Sequence, residues 1–113
     1  MQRVIKENEV KFGLSDSDLE RIVNVFLSDY RIETILIFGS RALGIQKEGS
    51  DIDMAIKSSD LEKSELFEIR QKLEGLHLPW FFDVIHFESI TNPELKEHIE
   101  RVGKVIWTKN VSH

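Results

Sequence analysis

The sequence contains no cysteine, which excludes a disulfide framework, thiolate-bound zinc and a thiol nucleophile. Proline is scarce too: Pro79 and Pro93 are the only two, and no low-complexity run or internal repeat divides the chain. No stretch approaches the roughly 20 apolar residues of a membrane span. The residues from Met1 to Glu9 lack the apolar segment of a secretory signal, so the cytoplasm is the expected compartment. The patterns GxxxxGK[ST], GxGxxG and GxSxG are missing, which removes the P-loop, the dinucleotide fold and the nucleophile elbow. His77, His86, His98 and His113 show no HExxH or paired spacing for zinc.

What remains is an ordinary globular balance of 41% hydrophobic and 31% charged residues in 113 residues, enough for one domain over 1–113. The net charge of −5 argues against stable binding to duplex nucleic acid, which requires basic residues to neutralise phosphates. It says less against a nucleotide substrate, because aspartates at a metal site would be neutralised by the ion.

The patterning predicts an alternation of helices and strands. Residues 1–14 are polar and weakly patterned, and read as a loose arm or a frayed helix. Ser15, Asp16, Ser17 and Asp18 are N-cap candidates, with Ser17 and Glu20 at capping-box spacing, for a helix running to about residue 29. Thr34 to Phe38 reads as a strand buried on both faces. A short helical turn and polar loop follow to residue 50, then a strand over 51–56 with Ile52, Met54 and Ile56 on one face. Asp60 is the candidate cap of a helix ending at Gly75; an apolar strand covers 80–87, a helix 92–101, and Val105–Trp107 a closing strand. The order αβαβαβα(β) predicts an α+β fold, a mixed sheet of three to four strands flanked by helices.

Three places carry chemistry. At Phe38-Gly39-Ser40-Arg41 a strand runs into a turn where glycine lets the backbone approach a ligand, and the turn's N–H groups, the Ser40 hydroxyl and Arg41 suit phosphate oxygens. The alternative is an ordinary strand-to-helix connector. Asp51 and Asp53, at i and i+2 of a strand, share a face with Cα atoms roughly 6.6 Å apart. Two such carboxylates repel unless a hard divalent cation lies beside them, or unless both are simply wet at a strand edge. Asp83 interrupts the apolar run from Trp80 to Phe87, where an ionised carboxylate is costly unless metal-bound or paired to a Lys or Arg. A strand pairing would set it beside the other two, giving a site for two metal ions.

Together, Gly39-Ser40, ten residues, Asp51-x-Asp53 and a lone Asp83 in an apolar strand resemble the nucleotidyltransferase superfamily that includes DNA polymerase beta. The short chain is most similar to the minimal nucleotidyltransferase (MNT) antitoxins, over about residues 15–107. The resemblance implies a mixed-sheet core, a triphosphate held by Gly39, Ser40 and Arg41, and Asp51, Asp53 and Asp83 as metal carboxylates with Asp83 nearest the nucleophile. It implies two Mg²⁺ ions, ATP as substrate and, as partner, a small helical HEPN-domain toxin adenylylated on a tyrosine. Larger superfamily members carry a further domain for the acceptor; nothing follows residue 107 here to match it, so acceptor binding is expected from a second chain, with a homodimer a further possibility.

In that chemistry an acceptor hydroxyl attacks the α-phosphorus and pyrophosphate leaves, with Asp83 as candidate base and no protein nucleophile required. Lys47 is a further phosphate candidate, though a solvated loop lysine is the simpler role. The rivals are a non-catalytic antitoxin that covers its partner, and an adenylyltransferase acting on a small molecule such as an aminoglycoside. Trp80, Phe81, Phe82 and Phe87 read as core rather than a base-stacking platform, and His86, on the opposite strand face from Asp83, as a packed or surface histidine. Leu61, Leu66 and Phe67 fit no single stripe and are candidates for a partner interface.

Overall fold

The computed structural model describes residues 10–109. A small hairpin opens it, β1 (Val10–Lys11) against β2 (Leu14–Ser15), followed by α1 (Asp16–Phe26), β3 (Thr34–Phe38), α2 (Gly39–Leu43) and β4 (Ile52–Lys57). A 3₁₀ turn (Lys63–Glu65) leads into α3 (Leu66–Glu74), then β5 (Phe82–His86), a second 3₁₀ turn (Phe87–Ser89), α4 (Pro93–Val102) and β6 (Lys104–Thr108). Apart from the hairpin, the elements follow the expected order, and the closing strand is real.

The four longer strands form one mixed sheet in the order β5-β4-β3-β6. β3 pairs antiparallel with β4 and β6, while β4 and β5 run parallel through the α3 crossover. Central β3 is buried along Ile35, Leu36, Ile37 and Phe38, because helices cover both its faces. On one face Ile35, Ile37, Ile52, Met54, Ile56 and Val84 meet Leu19, Ile22 and Phe26 of α1 and Leu66, Ile69 and Leu73 of α3. On the other, Leu36, Phe38, Ala55 and Phe87 meet Ile99 of α4.

Several local expectations are corrected. Residues 10–14, assigned to a loose arm, form the hairpin together with Ser15, and Leu14 is fully buried in the core; residues 1–9 lie outside the described part. Its two-residue turn has positive φ at Phe12 and Gly13, the backbone that matches strand twist in a tight hairpin. Ser15, not Ser17, caps α1, accepting from the Asp18 N–H at 3.1 Å, and the helix stops at Phe26. Asp60 caps nothing: Glu62 and Glu65 form a capping box at the 3₁₀ turn before α3. Leu61 and Leu66 are core residues and so not an interface, leaving only Phe67 of that group exposed, at 60%. One expectation holds: His86 is a packed histidine, buried with its Nδ1 2.6 Å from Ser89 Oγ and its Nε2 2.8 Å from the Ser58 carbonyl oxygen.

Ile37 sits at the centre of this packing, with no exposed surface. Ile37→Ala is expected to lower unfolding free energy by about 2–5 kcal/mol, read from urea denaturation.

Candidate active site

The chemistry-bearing residues gather at one end of the sheet, where β3 finishes and β4 and β5 begin. Phe38, the last residue of β3, is the antiparallel partner of Asp53, and Asp53 is the parallel partner of Asp83. In-register neighbours project from the same face of a sheet. Asp51 stands two residues before Asp53, just outside β4. The expected convergence of the three carboxylates on neighbouring positions is therefore present in the backbone.

Gly39 begins the turn that abuts them. Its φ is +71°, and a Cβ there would collide with Asp53 Oδ2, so conformation and space both require glycine. Ser40 follows, half-buried, and its carbonyl accepts from the Ile45 N–H at 3.0 Å, folding the chain back over the turn.

Asp53 is half-buried, whereas Asp51 and Asp83 are exposed. Burial, then the charge of Asp83, then that of Asp51 push the Asp53 carboxyl above its ordinary range; Arg41 and His98 pull the other way. Asp83 is not the desolvated carboxylate its apolar surroundings in sequence suggest. β5 is an edge strand, and Phe81, just before it, is 82% exposed as well, contrary to a core assignment. Trp80 and Phe82 are half-buried and Phe87 is buried.

Arg41 has a different place from the one expected at the phosphates. It is buried, and its guanidinium donates to three backbone carbonyls: Nη2 to Ser50 at 2.7 Å, Nη1 to Phe12 at 2.8 Å, and Nε to Ser50 and Asp51 at 3.2 Å. It also lies over the Trp80 ring, 5.4 Å from its centroid. Arg41 thus ties the hairpin turn to the peptide that carries Asp51. Lys47 is exposed in the loop.

One residue escaped the sequence reading. His98 on α4 meets Phe38 edge-on, with ring centroids 6.2 Å apart, and its field reaches Asp53. The spacing Leu95, His98, Ile99, Val102 places it on the helix face turned to the sheet, and that periodicity was the available signal.

The donor set suits a hard cation: three carboxylates and no sulfur, with Asp83 and Asp51 both repelling Asp53. Among the described residues, no three His, Asp or Glu side chains are gathered tightly enough to enclose an ion by themselves. Magnesium sites that work on nucleotides are commonly of this open kind, since phosphate oxygens and water fill the remaining positions.

Residues 20–112 match the family described as polymerase beta, nucleotidyltransferase. The chain belongs to that family. It is a nucleotidyltransferase of the minimal type. A relative of this nucleotidyltransferase in Methanocaldococcus jannaschii, designated by inference a protein adenylyltransferase, is 34% identical over 88 residues, covering 73% of this chain and 84% of its own. A Haemophilus influenzae relative similarly designated, MntA, is 30% identical over 92 residues, covering 80% of this chain and 77% of its own. Among solved structures, a toxin-antitoxin crystallised with AMP-PNP has a TM-score of 0.68 and 26% identity, covering 80% of this chain and 73% of that one.

Two outcomes test the site's physics. Arg41→Met leaves carbonyls of Phe12, Ser50 and Asp51 without their donor and is expected to cost about 2–4 kcal/mol in denaturant unfolding. For Asp53, the raised value means the folded protein keeps the proton better than the unfolded chain. Its contribution to stability therefore falls as pH rises from the ordinary 3.8 through the raised value. Asp53→Asn is expected to flatten that dependence and to raise the melting temperature of metal-free protein at neutral pH; an unchanged or lower value would contradict the repulsion.

Proposed function

We propose that this nucleotidyltransferase is the antitoxin of a toxin-antitoxin pair in the cytoplasm, and that it transfers AMP from ATP to a tyrosine hydroxyl of a helical HEPN-domain toxin. The observation that carries this reading is the pairing of Asp53 with Asp83 beside the Gly39 turn, with Asp51 two residues away. The designation of the two relatives as protein adenylyltransferases, and the AMP-PNP in the related toxin-antitoxin, favour a protein acceptor and an adenine nucleotide.

In this mechanism the triphosphate lies against the Gly39–Ser40 turn, where the Ser40 hydroxyl donates to it. Asp51, Asp53 and Asp83 would hold Mg²⁺, which when bound neutralises the phosphates and lowers the pKa of the acceptor hydroxyl. Asp83, exposed at the open edge, stands where an acceptor arrives and takes its proton. The hydroxyl oxygen forms a bond to the α-phosphorus, the bond to the bridging oxygen of pyrophosphate breaks, and pyrophosphate leaves.

The test uses ATP labelled at the α-phosphate, Mg²⁺, the purified protein and lysate from its own source, with Asp51→Asn/Asp53→Asn as control. Label is expected on one small protein, falling at least about a hundredfold with the control. Label on a drug-like small molecule would reassign the acceptor. A folded wild type that labels nothing would favour an antitoxin acting by cover alone.

A further inference from the structure

Helix α4 lies over the face of the sheet that carries the site. That face packs Leu36, Phe38, Ala55 and Phe87 against Ile99 of α4, and Asp53 and Asp83 share it through their register with Phe38. His98, the residue before Ile99, is half-buried and meets Phe38 edge-on, with 6.2 Å between ring centroids. Among the described residues, neither of its ring nitrogens has a hydrogen-bond partner. His86, by contrast, has both engaged, at 2.6 and 2.8 Å. An imidazole has at least one N–H to donate whether neutral or charged. An unused donor therefore stands beside the residue from which the Gly39 turn starts.

The strand order fixes which side of the site this donor is on. Asp83 is on edge strand β5, Asp53 on β4 and Phe38 on β3, so the three form one row across the sheet, with strands about 4.8 Å apart. Asp83 is at one end of the row, and His98 packs at the other. In-line displacement at phosphorus imposes a matching order on the reactants: attacking oxygen, phosphorus, leaving oxygen. An acceptor hydroxyl that enters at Asp83 sends pyrophosphate toward β3, and so toward the Gly39–Ser40 turn and His98. Donors are needed on that side, because the breaking bond leaves negative charge on pyrophosphate. Arg41, expected at the phosphates, is held instead by the carbonyls of Phe12, Ser50 and Asp51, and Lys47 is exposed in the loop.

Resting on the adenylyltransferase mechanism, we infer that His98 donates a hydrogen bond to a non-bridging oxygen on the pyrophosphate side of the bound ATP. The contact holds that end of the nucleotide before transfer and stabilises the charge that grows there as the bond to the α-phosphorus breaks. No proton changes hands in it. Packing against Phe38 sets the position of the ring.

The experiment compares wild type with two variants. His98→Phe keeps an aromatic ring against Phe38 but has no N–H, whereas His98→Gln loses the ring and keeps a donor. Calorimetric titration in the presence of Mg²⁺ measures AMP-PNP binding, transfer to the protein that wild type labels gives kcat and KM, and thermal melting reports folding. His98→Phe is expected to fold, to bind AMP-PNP about tenfold more weakly and to lose about tenfold in kcat, with KM for the acceptor within about twofold of wild type. His98→Gln is expected to recover both losses to within about threefold of wild type. Wild-type affinity for AMP-PNP in His98→Phe overturns the contact. Equal losses in His98→Phe and His98→Gln also overturn it, since His98 would then act through packing alone. If the affinities follow the expected pattern but no protein is labelled, the contact stands and the protein acceptor falls. A wild type that binds no AMP-PNP overturns the mechanism and the role of His98 with it.

Discussion

Parallel hydrogen bonding between β4 and β5 brings Asp53 level with Asp83, and the rest of the site follows from that register. A slip of one residue would send Asp83 to the opposite face and bring Phe82 or Val84 beside Asp53 instead. The register is held by what lies behind it. Ile52, Met54, Ile56 and Val84 are fully buried under α1 and α3, so a slip would expose them. Two carboxylates that repel one another are thus kept together by hydrophobic packing on the other side of the sheet.

The same end of the molecule is stiffened from a second direction. Gly39 allows β3 to turn directly against Asp53, and Arg41, two residues later in the same turn, pins the carbonyls of Ser50 and Asp51 and the hairpin carbonyl of Phe12. A buried guanidinium holding backbone oxygens is costly to bring out of water, and burial draws its pKa downward while Asp53 and Asp51 act to restore it. Arg41 is thereby coupled to the carboxylates through both backbone and field. The N-terminal hairpin, remote in sequence, becomes part of the support of Asp51.

The end of the sheet that carries the carboxylates is open. The edge position of β5 leaves Asp83 accessible and its flanking Phe81 in solvent, while α4 covers the deeper part of the same face and brings His98 toward Asp53.

The sequence by itself determined the order of elements, the mixed sheet and the three aspartates, because buried strands, helix periodicity and the Gly-Ser and Asp-x-Asp spacings are local features. It also contained the family resemblance, since residues 39–53 and 83 carry the motif. Tertiary structure alone decided the rest. Burial of Arg41 depends on carbonyls nine and 29 residues away, which no local pattern registers. Exposure of Asp83 and Phe81 depends on β5 lying at the sheet's edge, since the same apolar run in a central strand would have been buried. The hairpin at residues 10–15 and the approach of His98 to Phe38 likewise arise from contacts between distant segments, and they exist only once the chain has packed.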